Sequence, residues 1–97
     1  MGGMKMPRVF SVDKWVIYFW SGESVPLEPI HVHIALKTPV AHATKIWITR
    51  SGGCLLANND SNIPLPALRS LMEIIETRKV EIIGKWLAFF GEVTYYC

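Results

Sequence analysis

At Leu65 the apolar residues change their period, and that switch constrains the fold more than any other feature of the chain. Before it, apolar residues gather in short runs rich in β-branched and aromatic side chains. These are "RVFSV" (Arg8–Val12), "KWVIYFW" (Lys14–Trp20), "HVHIAL" (His31–Leu36), "ATKIWIT" (Ala43–Thr49) and "CLLAN" (Cys54–Asn58). Side chains of this kind suit a pleated, half-buried surface. After it, Leu65, Leu68, Leu71, Met72 and Ile75 recur at helical spacing, and so do Ile82, Ile83, Trp86, Leu87 and Phe90. Strands followed by helices predict an α+β fold: an antiparallel sheet of four to five strands with two C-terminal helices packed on one face.

The punctuation agrees with that order. Asp13 stands alone between two strand runs, which leaves room only for a tight reversal or a bulge. "SGESVPLEP" (Ser21–Pro29) contains one glycine and two prolines and reads as a loop, and "RSGG" has the glycines a hairpin needs. Polar Thr77-Arg78-Lys79 divides the helical half, with Thr77 expected to cap the second helix and Gly91 to end it. Residues 1–6 are expected to be a flexible lead and residues 7–97 one α+β domain.

A chain of 97 residues, 51% of them hydrophobic, supports one core without staples. The ten basic residues are scattered, with only Arg78 and Lys79 adjacent, so the stripe expected of a nucleic-acid surface is missing. No apolar run approaches the roughly 18–20 residues of a membrane span. Cys54 and Cys97 make no metal-type pair, and with no apolar leader at the start both are expected to be reduced thiols in a cytoplasmic protein.

Alternation in a strand sends successive side chains to opposite faces. In the third run Val32, Ile34 and Leu36 share one face, and His31, His33 and Ala35 the other. In the fourth, Ile46 and Ile48 oppose Lys45, Trp47 and Thr49. If the helices cover the aliphatic set, the far face gathers His31, His33, Lys45 and Trp47. A His-x-His pair aims both imidazoles one way, as metal sites do, but further ligands are needed. His42, Glu28, Asp60 and Cys54 stand at no diagnostic spacing, so the pair reads first as structural, then as a pocket, and last as metal ligands. Cys54 behind Gly52-Gly53 is explained by a hairpin and needs no nucleophile. No paired carboxylates and no phosphate loop are present. Trp86 and Phe90, one turn apart, are expected to pack the second helix on the sheet. Trp15 and Trp20 fall on opposite sides of one strand, so one of them points away from the helices.

"MPRVF", "EPIHVHI", "TKIWI", "LLANN" and "EIIGKWLAFFG" occur in an order that resembles a family of small bacterial proteins catalogued as a domain of unknown function (DUF, number 4160). The resemblance runs from about Met6 to Gly91. Pro29, His31 and His33 match its Pro-Pro-His-x-His-Val element, and Lys45, Trp47, Asn58, Trp86 and Phe90 match later blocks. Ile30 replaces the second proline, the segment from Leu36 to Thr44 is longer than usual, and Pro64 stands where a Ser or Asn cap is common. The resemblance implies no reaction, ligand or cofactor. It does imply a frequent small gene neighbour and a toxin–antitoxin-like label.

Together these readings set the expectation of an interaction module, and they lean away from an enzyme without deciding it. It would be a homodimer, or the receiver of a small protein partner, with His31, His33, Lys45 and Trp47 at the contact. The competing expectation is a small-molecule or metal site built on the same four residues.

Overall fold

The structure is a computed structural model and describes residues 5–21 and 26–97. The first residues of the expected lead, through Met4, and the 22–25 part of the long loop lie outside the described residues. Five strands form one antiparallel meander: β1 (Arg8–Val12), β2 (Trp15–Tyr18), β3 (His31–Leu36), β4 (Thr44–Ile48) and β5 (Cys54–Asn58), in spatial order β1-β2-β3-β4-β5. Two helices follow, α1 (Leu65–Thr77) and α2 (Lys79–Phe90). The chain is therefore α+β, as the change of period at Leu65 implies.

Two short turns set the register. Asp13 adopts φ 53° at the β1–β2 reversal, a left-handed conformation that Asp tolerates because its short side chain can bond locally. Gly52 adopts φ 96° at the β4–β5 reversal. In the resulting register Ile17 faces Ile34, Val32 faces Ile46, and these aliphatic pairs turn to the helices. Ile17, Val32, Ile34, Ile46 and Ile48 are fully buried beneath Leu68, Leu71, Ile75, Ile82 and Trp86. Trp86 meets Phe19 edge-on at 5.2 Å and lies 4.2 Å from Phe90, so this pair docks α2 as its spacing implies. Leu36 departs from the aliphatic set: at the end of β3 it is 48% exposed, because the helices cover only the body of the strand.

The helix junction differs from expectation by one residue and by mechanism. Thr77 does not cap α2; its hydroxyl donates back to the Glu73 carbonyl at 3.0 Å, a bond that threonine makes readily inside a helix. The break falls at Arg78 (φ −102°, ψ 22°), which has no side-chain cap hydrogen bond at either helix. Arg78 instead lays its guanidinium 3.7 Å over the Phe10 ring and donates to Glu81 at 2.9 Å. Pro64 precedes α1 without a side-chain cap bond, and Gly91 ends α2 in the left-handed conformation (φ 86°).

The link from β5 to α1 is held by a polar knot. The buried Thr44 hydroxyl donates to Asn59 Oδ1 at 2.7 Å, Asn59 Nδ2 donates to the Ile63 carbonyl at 3.0 Å, and the Ile63 amide donates back to Asn59 Oδ1 at 3.1 Å. Ser61 completes it by donating to the Ile34 carbonyl at 2.7 Å. The C-terminal segment after Gly91 adds no strand. It crosses the end of the sheet where β3 begins and β4 ends, taking the Ile30 amide on the Thr94 carbonyl and the Arg50 amide on the Cys97 carbonyl.

Candidate functional site

The meander aligns the face opposite the helices into rows. Tyr18, His33, Lys45 and Asn58 are successive cross-strand partners from β2 to β5, and His31, Trp47 and Leu55 form the adjacent row. The four residues singled out from the sequence are thus neighbours. His31 and His33 meet edge-on with ring centroids 5.0 Å apart, and His31 meets Trp47 at 5.5 Å. Lys45 Nζ sits 4.4 Å from the Trp47 ring centroid and bonds Glu28 Oε1 at 2.6 Å. That pair is half-buried, so it is held more firmly than an exposed ion pair.

The neighbours that enclose the histidines come from outside their strand. Tyr18 stacks on His33 at 5.6 Å and Trp20 meets it edge-on at 6.4 Å. Trp15 packs against the helix-side core while Trp20 lies on the other face, which settles which of the two points away from the helices. Trp86 brings its ring within 5.5 Å of His31, so the helix layer reaches this face at the start of β3. Pro29 has a defined part: its carbonyl receives His31 Nδ1 at 2.9 Å. A carbonyl only accepts, so Nδ1 is the donor in this bond.

This face is not open. His31 and His33 are 2% and 3% exposed. Among the described residues, three irregular pieces pack onto this face. Lys5 and Ser21 exchange two hydrogen bonds, which ties down the last residues of the expected lead, and Met6 packs on Val16, Tyr18, Ala35 and Ala43. The segment between β3 and β4 is anchored by Val40, whose carbonyl accepts from the Tyr18 hydroxyl at 2.5 Å and whose amide donates to it at 3.1 Å. Finally Tyr96, from the C-terminal segment, stacks flat on Trp47 at 4.7 Å. Tyr18, Val40 and Tyr96 carried no sequence motif, and Glu28 stood in the histidine block without its pairing to Lys45 being visible. Only Tyr18 offered a signal, since a tyrosine inside a buried strand needs a partner for its hydroxyl.

Chemically the arrangement holds two imidazoles, one lysine–glutamate pair and a stack of aromatic rings. General acid–base work requires a substrate atom within hydrogen-bond reach of the imidazole, which here needs the cover to move. Among the described residues no group of three or more His, Cys, Asp or Glu could hold a metal ion. Cys54 is held as the thiol: burial, then the negative charge of Glu76 and a hydrogen bond to it, push it from the ordinary 9.0 up to about 12. Asn58, opposite Lys45, accepts the Asp60 amide at 3.0 Å and shapes the turn after β5.

A separate open cleft of about 260 Å³ lies along the other side of α2, lined by Pro7, Arg8, Phe19, Lys85, Ala88 and Phe89. None of the four candidate residues lines it, and Lys85 there is already engaged by the Val9 carbonyl at 2.7 Å. No helix is long and apolar enough to cross a membrane among the described residues.

No curated protein and no solved structure matches the chain at a significant level. A family model described as "Domain of unknown function (DUF4160)" matches residues 15–87, the span that holds β2 to β5, the whole histidine face and nearly all of both helices. With most of its length inside that match, the chain belongs to the DUF4160 family.

Proposed function

We propose that the protein is an interaction module that acts as a homo-oligomer, most simply a homodimer, in the bacterial cytoplasm. A small protein encoded beside it would be its further partner, in a toxin–antitoxin-like arrangement suggested by the family context. The observation that carries the reading is a contrast in exposure. The polar and aromatic residues that chemistry would use are enclosed by the chain's own loops, whereas large apolar side chains stand exposed together on one side of α2: Val80 at 77% and Leu87 at 41%. Clustered exposed apolar surface on a small domain is costly unless a partner covers it. The scattered basic residues favour a protein partner over nucleic acid. The test is light scattering behind size-exclusion chromatography from micromolar to millimolar concentration. A mass of twice 11.0 kDa is expected, and a constant mass of 11.0 kDa sinks the oligomer reading.

A second reading has its own observation. His31, His33, Lys45 and Trp47 are contiguous, and one wall over them, Tyr96, belongs to a terminal segment held to the sheet by the two backbone bonds of Thr94 and Cys97. Lifting that segment would open a pocket with an anion-holding lysine and an aromatic wall, suited to a small molecule. Heat shifts against metal ions and small anionic ligands test it, and no shift with any of them counts against it.

A further inference from the structure

Helix α2 buries Ile82 and Trp86 against the sheet, yet its outward side is apolar as well. Val80, Gly84, Leu87 and Ala88 are exposed, with Ile83 at their border. At 3.6 residues per turn these five share one arc of the helix. A helix with two opposite apolar sides normally buries both. Glu81 and Lys85 run along one margin of the arc, joined to each other at 3.2 Å.

Gly84 lies in the middle of the arc. Glycine is the least favourable residue for a helix interior apart from proline. Nothing among the described residues asks for it, because a Cβ at Gly84 would meet none of their atoms within 4 Å. A missing side chain serves one purpose there: it lets another backbone come close from outside.

We propose that α2 is the homodimer contact, crossing the α2 of a second copy in antiparallel direction with Gly84 at the two-fold axis. This rests on the homo-oligomer reading above and names its surface. Charge selects both the occupant and the direction. About a two-fold at Gly84, Glu81 lies about 3 Å along the axis from the partner's Lys85, and the reciprocal pair forms by symmetry. A parallel crossing carries the two charged margins to opposite sides of the contact, so neither Glu81–Lys85 pair forms. Val80 comes level with the partner's Ala88, a large side chain over a small one. The arc itself carries no charge, so its burial strands no ion. A second copy therefore supplies the apolar arc, the glycine gap and the opposite charges at once.

The test uses the full chain. Gly84→Glu puts a charge at the crossing while keeping a good helix former, and its dimer dissociation constant should rise at least about a hundredfold. Its circular dichroism and melting at low concentration should stay those of the wild type. In a Cys97→Ser background, the double variant Val80→Cys with Ala88→Cys should form, under mild oxidation, an intermolecular disulfide that joins position 80 of one copy to position 88 of the other, whereas a parallel crossing would join like positions. If the wild type is a dimer but Gly84→Glu dimerises equally well, or the double variant fails to cross-link, the α2 contact is overturned and the homo-oligomer reading survives. If the wild type stays monomeric to millimolar concentration, both are overturned.

Discussion

The ring of Tyr96 lies on that of Trp47 with centroids 4.7 Å apart and planes 5° from parallel. This contact joins the last turn of chain to the histidine face, and it works together with the Thr94 and Cys97 carbonyls that hold the amides of Ile30 and Arg50. Tyr96→Ala should cost about 0.5–1.5 kcal/mol in urea unfolding, nearer the lower figure because Tyr96 is itself more than half exposed. The sharper readout is local. Amide exchange at Ile30 and Arg50 should speed up, and diethyl pyrocarbonate should modify His31 and His33 faster than in the wild type. Unchanged modification rates would show that Tyr96 is no part of their cover.

Asn59 joins β4 to the start of α1 through three bonds, one from the buried Thr44 hydroxyl and two with the Ile63 backbone. Asn59→Ala leaves the Thr44 hydroxyl and both Ile63 groups to find other partners, at a cost of about 1–3 kcal/mol. Denaturant titration checks this, with an unchanged m-value expected because the fold stays the same. A loss well below 0.5 kcal/mol would mean that water replaces the knot at no cost.

Cys54 and Cys97 should separate by reactivity. Cys54 is held as a thiol by burial and by Glu76, with its pKa up at about 12, while Cys97 is exposed. At pH 8 a disulfide reagent should consume one thiol quickly and the second only as the protein unfolds. Because the folded state raises the Cys54 pKa, the associated stability is complete below the ordinary 9.0 and is lost as pH rises from there towards about 12. Melting scans of the wild type and Cys54→Ala across pH 8–11 check the sign: the wild type should lose more stability over that range. Glu76→Gln, which removes the neighbouring charge, should make Cys54 react faster.

Two glycines should respond oppositely to alanine. Gly84→Ala should stabilise the isolated subunit by about 0.8–1.0 kcal/mol, since the site is helical and its surroundings are empty. Gly52→Ala should destabilise it by about 1 kcal/mol or more, because Gly52 holds φ 96° and an added Cβ would come 2.7 Å from Lys79 Nζ. Thermal unfolding at low concentration measures both. A destabilising Gly84→Ala would place an unseen intramolecular contact at α2.

The histidine face shows where sequence reasoning reaches and where it stops. Strand parity alone puts His31 and His33 opposite Val32 and Ile34, and pairing the aliphatic sets then brings Lys45 and Trp47 alongside. The same parity separates Trp15 from Trp20. It says nothing about cover, because the cover is made of irregular chain. Val40 closes over Tyr18 through one hydroxyl, Lys5 ties to Ser21, and Tyr96 returns from the far end of the molecule. Contacts of that kind carry no periodicity. Thr77 illustrates the limit at short range: the same hydroxyl can cap the helix ahead or bond back into the one behind, and here it bonds back to Glu73.

By itself the sequence determined the layers: apolar period 2 before Leu65 and 3.6 after it set strands, helices and the side of each that is buried. The tertiary structure alone decided that His31 and His33 are covered while α2 keeps an apolar side outward. Period is a local consequence of backbone geometry and is written residue by residue. Exposure depends on which distant segment arrives to cover a surface. For His31 and His33 such segments arrive, and for Val80, Gly84 and Leu87 none does within the described chain.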